Sequence, residues 1–213
     1  MTLALFGATG TTGQLFLKSA LDQGHSVQAL ARTPEKLTFQ HANLSLIQGD
    51  ARDSQTVDRV IEPADLVISF LGVNPKSGNR VFTQSLETLF ASMKKYGKKR
   101  IILTAGAGIG DPKDKNSFMG SMVTGIIRLI APKAYEDGLQ AGAFVRSQQA
   151  IDWTMIRIPR LTDEPGVQDI SRLRVGYLGV GTGFSLSRQD LATYILSIME
   201  TQNHIHEAPV ISN

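Results

Sequence analysis

Short apolar runs alternate with amphipathic stretches along most of the chain. Residues 2–6, "TLALF", form an apolar run that stops at a glycine, the pattern of a strand buried on both faces. The stretch "TTGQLFLKSALDQG" then sets Leu15, Phe16, Ser19 and Ala20 at helical spacing and ends on Gly24, which predicts a helix and its stop. "SVQALA" (26–31) alternates like a second strand. "LSLIQGD" (44–50) and "DLVISFLG" (65–72) read as a third and a fourth, with a short amphipathic helix over "SQTVDRVIE" between them. Residues 80–97, "RVFTQSLETLFASMKKYG", carry apolar i, i+4 steps and close on glycine. "RIILTAG" (100–106) and "DWTMIRIP" (152–159) are the fifth and sixth strands, separated by a long helical region.

Strand, helix, strand at this rhythm calls for parallel strands joined by right-handed crossovers. The expected architecture is an α/β doubly wound parallel sheet, a single domain over residues 1–213 with a small C-terminal substrate lobe. Composition agrees: 42% hydrophobic and 19% charged residues suffice for a globular core. No cysteine is present, which removes thiol catalysis and thiolate metal sites and fits a reducing cytoplasm. The opening "MTLALFGATG" has no basic leader or cleavage pattern, so no secretory signal is expected. "FMGSMVTGIIRLIAP", from Phe118, is too short to span a bilayer and contains Arg128, so it reads as a buried or partner-facing helix. The net charge of +3 is mild, and its densest cluster, "KKYGKKR" (94–100), falls where a helix gives way to a strand. Without a recognition motif it predicts a solvated helix end and no nucleic-acid partner. The polar loop "GDPKDKNS" (110–117) is expected to be the most mobile segment.

In such a sheet, ligands bind beyond the carboxyl ends of the strands. After the first strand, "GATGTTG" places Gly7, Gly10 and Gly13 every third residue, between a strand and a helix. Gly7 suits a turn with positive φ, Gly10 lets the backbone approach a phosphate, and Gly13 allows the helix to pack closely on the strand. The amides of Thr11, Thr12 and Gly13 then face a pyrophosphate, with hydroxyls from Thr9, Thr11 and Thr12.

This loop resembles the "GATGxxG" loop of the atypical short-chain dehydrogenase/reductase superfamily, whose fold is Rossmann-like. The chain is especially similar to its one-domain NmrA-like and biliverdin-IXβ (flavin) reductase-like members. "SVQALARTPEKL", "LIQGDARD", "DLVISFLG", "DWTMIRIPRLTDEPG" and "SLSRQDLATYI" match in order. The resemblance implies NAD(P)H binding. It implies that Asp50 and Ala51 meet the adenine, that Leu71 and Gly72 lie along the adenosine and ribose, and that Thr104 and Pro159 also belong to the cofactor site. The second strand ends on Arg32, with Thr33 and Lys36 following, where an NAD-preferring site carries Asp or Glu. A guanidinium there suits a 2′-phosphate, so NADP(H) is expected over NAD(H), although Glu35 stands close by.

Many members of the superfamily carry a hydroxyl residue at the end of the fifth strand and then Tyr-x-x-x-Lys. Here Gly106 takes the hydroxyl's place, and the candidate catalytic Tyr135 is followed four residues later by Leu139. A phenol near its ordinary pKa of about 10 is a poor acid–base group at neutral pH. Gly106 and Gly108 leave room for a flat acceptor over the nicotinamide, and Arg160 stands on the substrate side, where it can hold an anion or pair with Asp163 or Glu164. The expectation is an NADPH-dependent reductase passing hydride to a flavin, quinone or similar small molecule. A non-catalytic NADP(H) sensor acting through a protein partner is the alternative. An epimerase would need a longer C-terminal substrate domain. No metal is expected: His204 and His206 in "NHIHEAP" would share a strand face, with Glu207 turned the other way. Ser85 and Ser147 lack a nucleophile context, and Arg157 reads as structural.

Overall fold

The computed structural model of the chain describes residues 1–75, 80–115, 125, 128–167 and 169–213. The strands of its main sheet are β1 (Thr2–Phe6), β2 (Ser26–Ala31), β3 (Leu44–Gln48), β4 (Leu66–Ser69), β5 (Arg100–Gly106), β6 (Asp152–Ile158), β8 (Arg174–Gly176) and β10 (Val210–Ser212). They lie in the order β3-β2-β1-β4-β5-β6-β10-β8. β8 runs antiparallel to β10, and the other described pairings are parallel. A separate pair, β7 (Arg160–Thr162) and β9 (Ser185–Ser187), forms the small C-terminal lobe. The helices are α1 (Thr11–Asp22), α2 (Ser54–Ile61), α3 (Val81–Lys95), α4 (Pro132–Arg146) and α5 (Arg188–Ile198).

The central strands are apolar on both faces because both are covered. Leu3 and Leu5 pack with Phe16, Leu17, Leu191 and Ile195 under α1 and α5. Ala4 and Phe6 point the other way and pack with Val57, Leu86, Phe90 and Val145 under α2, α3 and α4. This is the doubly wound, three-layer arrangement that the alternating pattern predicts. The six predicted strands are present. β8 and β10, of three residues each, extend the sheet beyond the sixth and were not expected.

Two long-range polar contacts lock the layers. Arg80, the residue before α3, adopts φ 60° and offers no side-chain cap. Asp137 of α4 caps the helix instead, its carboxylate accepting the amides of Phe82 and Thr83 at 2.9 Å each and the Thr83 hydroxyl at 2.6 Å. On the other flank, Arg157 of β6 is fully buried and grips Asp114 through both terminal nitrogens at 2.7 Å.

That second contact corrects the expectation for residues 110–117. Asp114 also accepts the amides of Asp111 and Leu178, and Lys115 donates its amide to the Leu178 carbonyl. Residues 111–115 are therefore anchored to β6 and to the turn after β8, while 116 and 117 lie outside the described residues. Most of the apolar stretch from Phe118 also lies outside them. The "KKYGKKR" cluster is more engaged than a solvated end: Lys94 reaches Gln148, Lys95 pairs with Asp58, and Arg100 bonds to Asp152 and Thr154. Among the described residues no helix is long and apolar enough to cross a membrane.

His204 and His206 do not alternate on a strand. Both sit in a turn with left-handed φ of 60° and 56°. His204 meets Tyr194 through Nε2 and Glu207 through Nδ1, and His206 meets the Ile151 carbonyl. Glu207 thus faces His204, contrary to the strand reading, and is itself held by Lys113 at 2.7 Å. Among the described residues no group of three or more His, Asp or Glu side chains is arranged to hold a metal ion.

Candidate functional site

β1, β2 and β4 end level with one another, Phe6 standing beside Leu30 and Ser69. β1 is the switch point, with β2 and β3 to one side and β4 onward to the other, so the loops beyond these strands enclose a crevice. Gly7, Thr9, Arg32, Asp50, Ala51 and Leu71 line it, together with Gly72. These seven positions, all among the expected cofactor-binding residues, line one crevice. Its far wall, unforeseen, is the start of α3 with Val81, Phe82 and Ser85, and Asn74 also lines it. Ser85 donates its hydroxyl to the Val81 carbonyl one turn back and acts as part of that wall.

The glycine loop explains its own composition. Gly7 has φ 83°, and a Cβ there would stand 2.9 Å from the Phe70 carbonyl carbon. A Cβ on Gly13 would overlap the Gly7 carbonyl, so Gly13 packs against the loop itself rather than against the strand. Gly10 is different: its φ of −76° and ψ of 156° are open to any residue. The nearest atom to a Cβ there is the Gly7 oxygen at 3.4 Å, and the Cβ otherwise points into open space. The Gly10 amide bonds to Gly7, and the first α1 bond is from Gln14 to Gly10 at 2.9 Å. The amides of Thr11, Thr12 and Gly13 are left without acceptors among the described residues. Three free amides at a helix start, beside a position kept bare of Cβ, fit a pyrophosphate. Gln14 steadies the turn by donating its side-chain amide to the Thr9 carbonyl.

Arg32 is exposed at the end of β2 and makes no hydrogen bond or ion pair with the described residues. Asp50 is gripped by Arg52, which donates from Nε and Nη2 at 2.9 Å each. The Arg52 hydrogen bonds and the charges of Arg52 and Arg32 hold the Asp50 carboxyl below its ordinary value, against the upward push of burial.

The side expected to take the nicotinamide is more open. A Cβ on Gly106 would meet nothing within 4 Å. Thr104 is buried and turns its hydroxyl toward the Ser69 carbonyl at 3.4 Å, so it braces β4 and does not line the crevice. Pro159 joins β6 to β7, half-buried. Arg160 is exposed on β7 and pairs with neither Asp163 nor Glu164; Asp163 is taken by Arg188 at 2.7 Å. Tyr135 lies in the first turn of α4, half-buried, with Leu139 on the next turn. No described contact joins Tyr135 to the crevice. A larger groove between α2 and α3 is walled by Arg52, Asp58, Glu87 and Lys95. Those charges already pair within the protein.

A family model described as NAD(P)H-binding matches residues 7–202. The uncharacterized protein YwnB of Bacillus subtilis is 27% identical over 108 residues, which are 51% of this chain and 48% of that protein. The chain thus spans about half the length of this curated relative. A short-chain dehydrogenase/reductase of Veillonella parvula in complex with NADP superposes with a TM-score of 0.81 at 14% identity, covering 100% of this chain and 94% of that one. ChuY, an anaerobillin reductase of Escherichia coli O157:H7, superposes at 0.78 with 21% identity, over 100% and 97% of the two chains. At these identities the structures establish a shared Rossmann-like fold. With the glycine loop, its free amides and a family match over most of its length, the chain belongs to the NAD(P)H-binding family.

Proposed function

We propose that this protein is an NADPH-dependent reductase that passes hydride to a flat acceptor of the flavin or quinone class. The observation that carries the reading is the contrast between the crevice and the space beyond β5, which we assign to the nicotinamide. At the adenosine end stands a free cation, Arg32, beside built phosphate donors. Beyond β5, a Cβ on Gly106 would meet nothing within 4 Å, and Leu139 stands four residues after Tyr135.

The amides of Thr11, Thr12 and Gly13 would hold the pyrophosphate, and Arg32 the 2′-phosphate. The bound dinucleotide supplies a hydride at its nicotinamide. The protein's own part is to fix that ring at the Gly106 end and to leave the space above it for a second ring. A flat acceptor spreads the charge it gains and takes its proton from water, so the chain needs no placed acid there. A carbonyl substrate would need such a donor. The guanidinium of Arg160, without a partner among the described residues, suits an anionic group on the acceptor. The Veillonella structure, which holds NADP, and ChuY, an anaerobillin reductase, support this reading.

The test is oxidation of NADPH by the purified protein against free flavins and quinones, with NADPH binding titrated in the same sample. Turnover with bound NADPH supports a reductase. Tight binding with no turnover on any acceptor favours a second reading, an NADP(H) sensor working through a protein partner. The turned-away hydroxyl of Thr104 and the absence of a lysine at Leu139 are the features that favour that alternative.

A further inference from the structure

Among the described residues that line the crevice, Arg32 and Asp50 are the only charged ones, and they have opposite signs. On their own they leave the adenosine end formally neutral. An ionised carboxylate beside the site of a 2′-phosphate repels it, and this offsets what Arg32 contributes. Asp50 is not on its own, however. Arg52 closes on both of its oxygens, Nε to Oδ1 and Nη2 to Oδ2 at 2.9 Å, and adds its backbone amide to Oδ1 at 2.9 Å. Among the described residues Arg52 has no other ion-pair partner, although Asp58 and Glu87 share its groove. A fork–fork pair of this kind fixes orientation as well as charge.

We infer that Arg52 is a specificity-determining residue: by neutralising Asp50 it leaves Arg32 as an uncompensated positive charge for a 2′-phosphate. The inference rests on reading this crevice as an NADPH site. Asp50 is held in its ionised form, so the charge that Arg52 cancels is a full one. The pair is partly exposed, with 46% of the Arg52 side chain and 34% of that of Asp50 open to solvent, so the effect is screened and modest.

NADPH and NADH are titrated against the wild type, Arg52→Gln, Arg52→Lys, Asp50→Asn and the Arg52→Gln/Asp50→Asn double variant, with melting curves as a folding control. The expected result for Arg52→Gln is a roughly two- to tenfold fall in the NADPH-over-NADH affinity ratio. Adding Asp50→Asn restores the ratio, and Arg52→Lys, which keeps the charge without the fork, preserves most of it. If Arg52→Gln weakens both cofactors equally, Arg52 only orients Asp50 toward the shared adenine and the inference is wrong. Failure of the double variant to restore the ratio also overturns it. A wild type that binds both cofactors alike removes the 2′-phosphate reading itself. A wild type that prefers NADPH, with a ratio unmoved in Arg52→Gln, removes the role of Arg52 alone.

Discussion

Arg157 and Asp114 meet as a two-pronged ion pair inside the protein, 43 residues apart in sequence, with both bonds at 2.7 Å. The Arg157 side chain is fully buried, and its Nε is spent on the Ala208 carbonyl at 2.6 Å. One residue thereby ties β6, the loop after β5 and the segment leading into β10. Removing only the acid strands a buried guanidinium. Asp114→Ala should cost about 3–5 kcal/mol of folding stability, read from urea unfolding. Replacing both partners with apolar residues should cost clearly less. A loss in the double variant equal to the sum of the losses in the two single variants would show that the pair is not coupled.

The same pair predicts a pH dependence. Burial pushes the Asp114 carboxyl up, but hydrogen bonds and charge from Arg157, with the Leu178 and Asp111 amides, bring it below its ordinary value. Its folded pKa is therefore depressed. The stabilisation is complete above the unfolded value of about 4 and is lost as pH falls through the lower folded value. Asp190 works in the opposite sense, since burial raises its carboxyl and its contribution improves in acid. Urea midpoints measured from neutral pH down to pH 3 should fall more steeply in the wild type than in Asp114→Asn. Parallel curves would remove Asp114 from the acid sensitivity.

Asp137 should matter to both stability and binding. It caps α3 from another helix, and the capped turn carries Val81, Phe82 and Ser85 of the crevice wall. Asp137→Ala leaves two buried amides without an acceptor, a cost of about 1–3 kcal/mol. The loosened turn should also weaken dinucleotide binding under conditions where the variant is still folded. Asp137→Asn keeps one acceptor oxygen and should fall between. A variant as stable as the wild type would mean that water replaces the cap.

Whether a feature can be read from the amino-acid sequence depends on the distance over which it is determined. Buried strands read as apolar runs because both faces are covered, so β1, β2, β4, β5 and β6 are legible from local pattern alone. The glycine loop is legible because Gly7 and Gly13 answer local steric demands and Gly10 leaves the space before α1 bare. β8 and β10 are three residues long, too short for any periodicity to show. The Asp137 cap joins residues 55 apart, and no local signal marks it. Arg52 stands two residues from Asp50, but its grip depends on a side-chain direction that spacing does not fix. Thr104 is at the expected place along its strand, but its hydroxyl turns to the Ser69 carbonyl, a contact its position in the sequence does not announce. His204 and His206 alternate like strand residues, yet their left-handed backbone makes them a turn.

Within the loop, Gly10 and Gly13 should separate function from folding. Gly10 has backbone angles that valine tolerates, and its Cβ would point into the phosphate space. Gly10→Val should keep the fold and lose NADPH. The loss of two or more amide–phosphate contacts, at about 1.5–3 kcal/mol each, corresponds to roughly a hundredfold or more in affinity. Gly13→Ala should instead lower the melting temperature, because its Cβ would overlap the Gly7 carbonyl. Unchanged NADPH affinity in a folded Gly10→Val protein would move the pyrophosphate elsewhere.

Arg32 carries the sharpest claim about cofactor choice. It is the only cation among the described residues lining the crevice, it sits directly after β2, and it makes no ion pair with the described residues. Its guanidinium can therefore take a phosphate without breaking any contact within the protein. Arg32→Glu should weaken NADPH by about ten- to a hundredfold, the worth of one or two charge-assisted hydrogen bonds. NADH lacks the 2′-phosphate and should lose little, or gain through new hydrogen bonds from the ribose hydroxyls to the carboxylate. The NADPH affinity of the wild type should also fall faster with added salt than its NADH affinity, because exposed charges are screened. Equal weakening of both cofactors, with equal salt slopes, would take Arg32 away from the 2′-phosphate and leave the choice of dinucleotide to other residues.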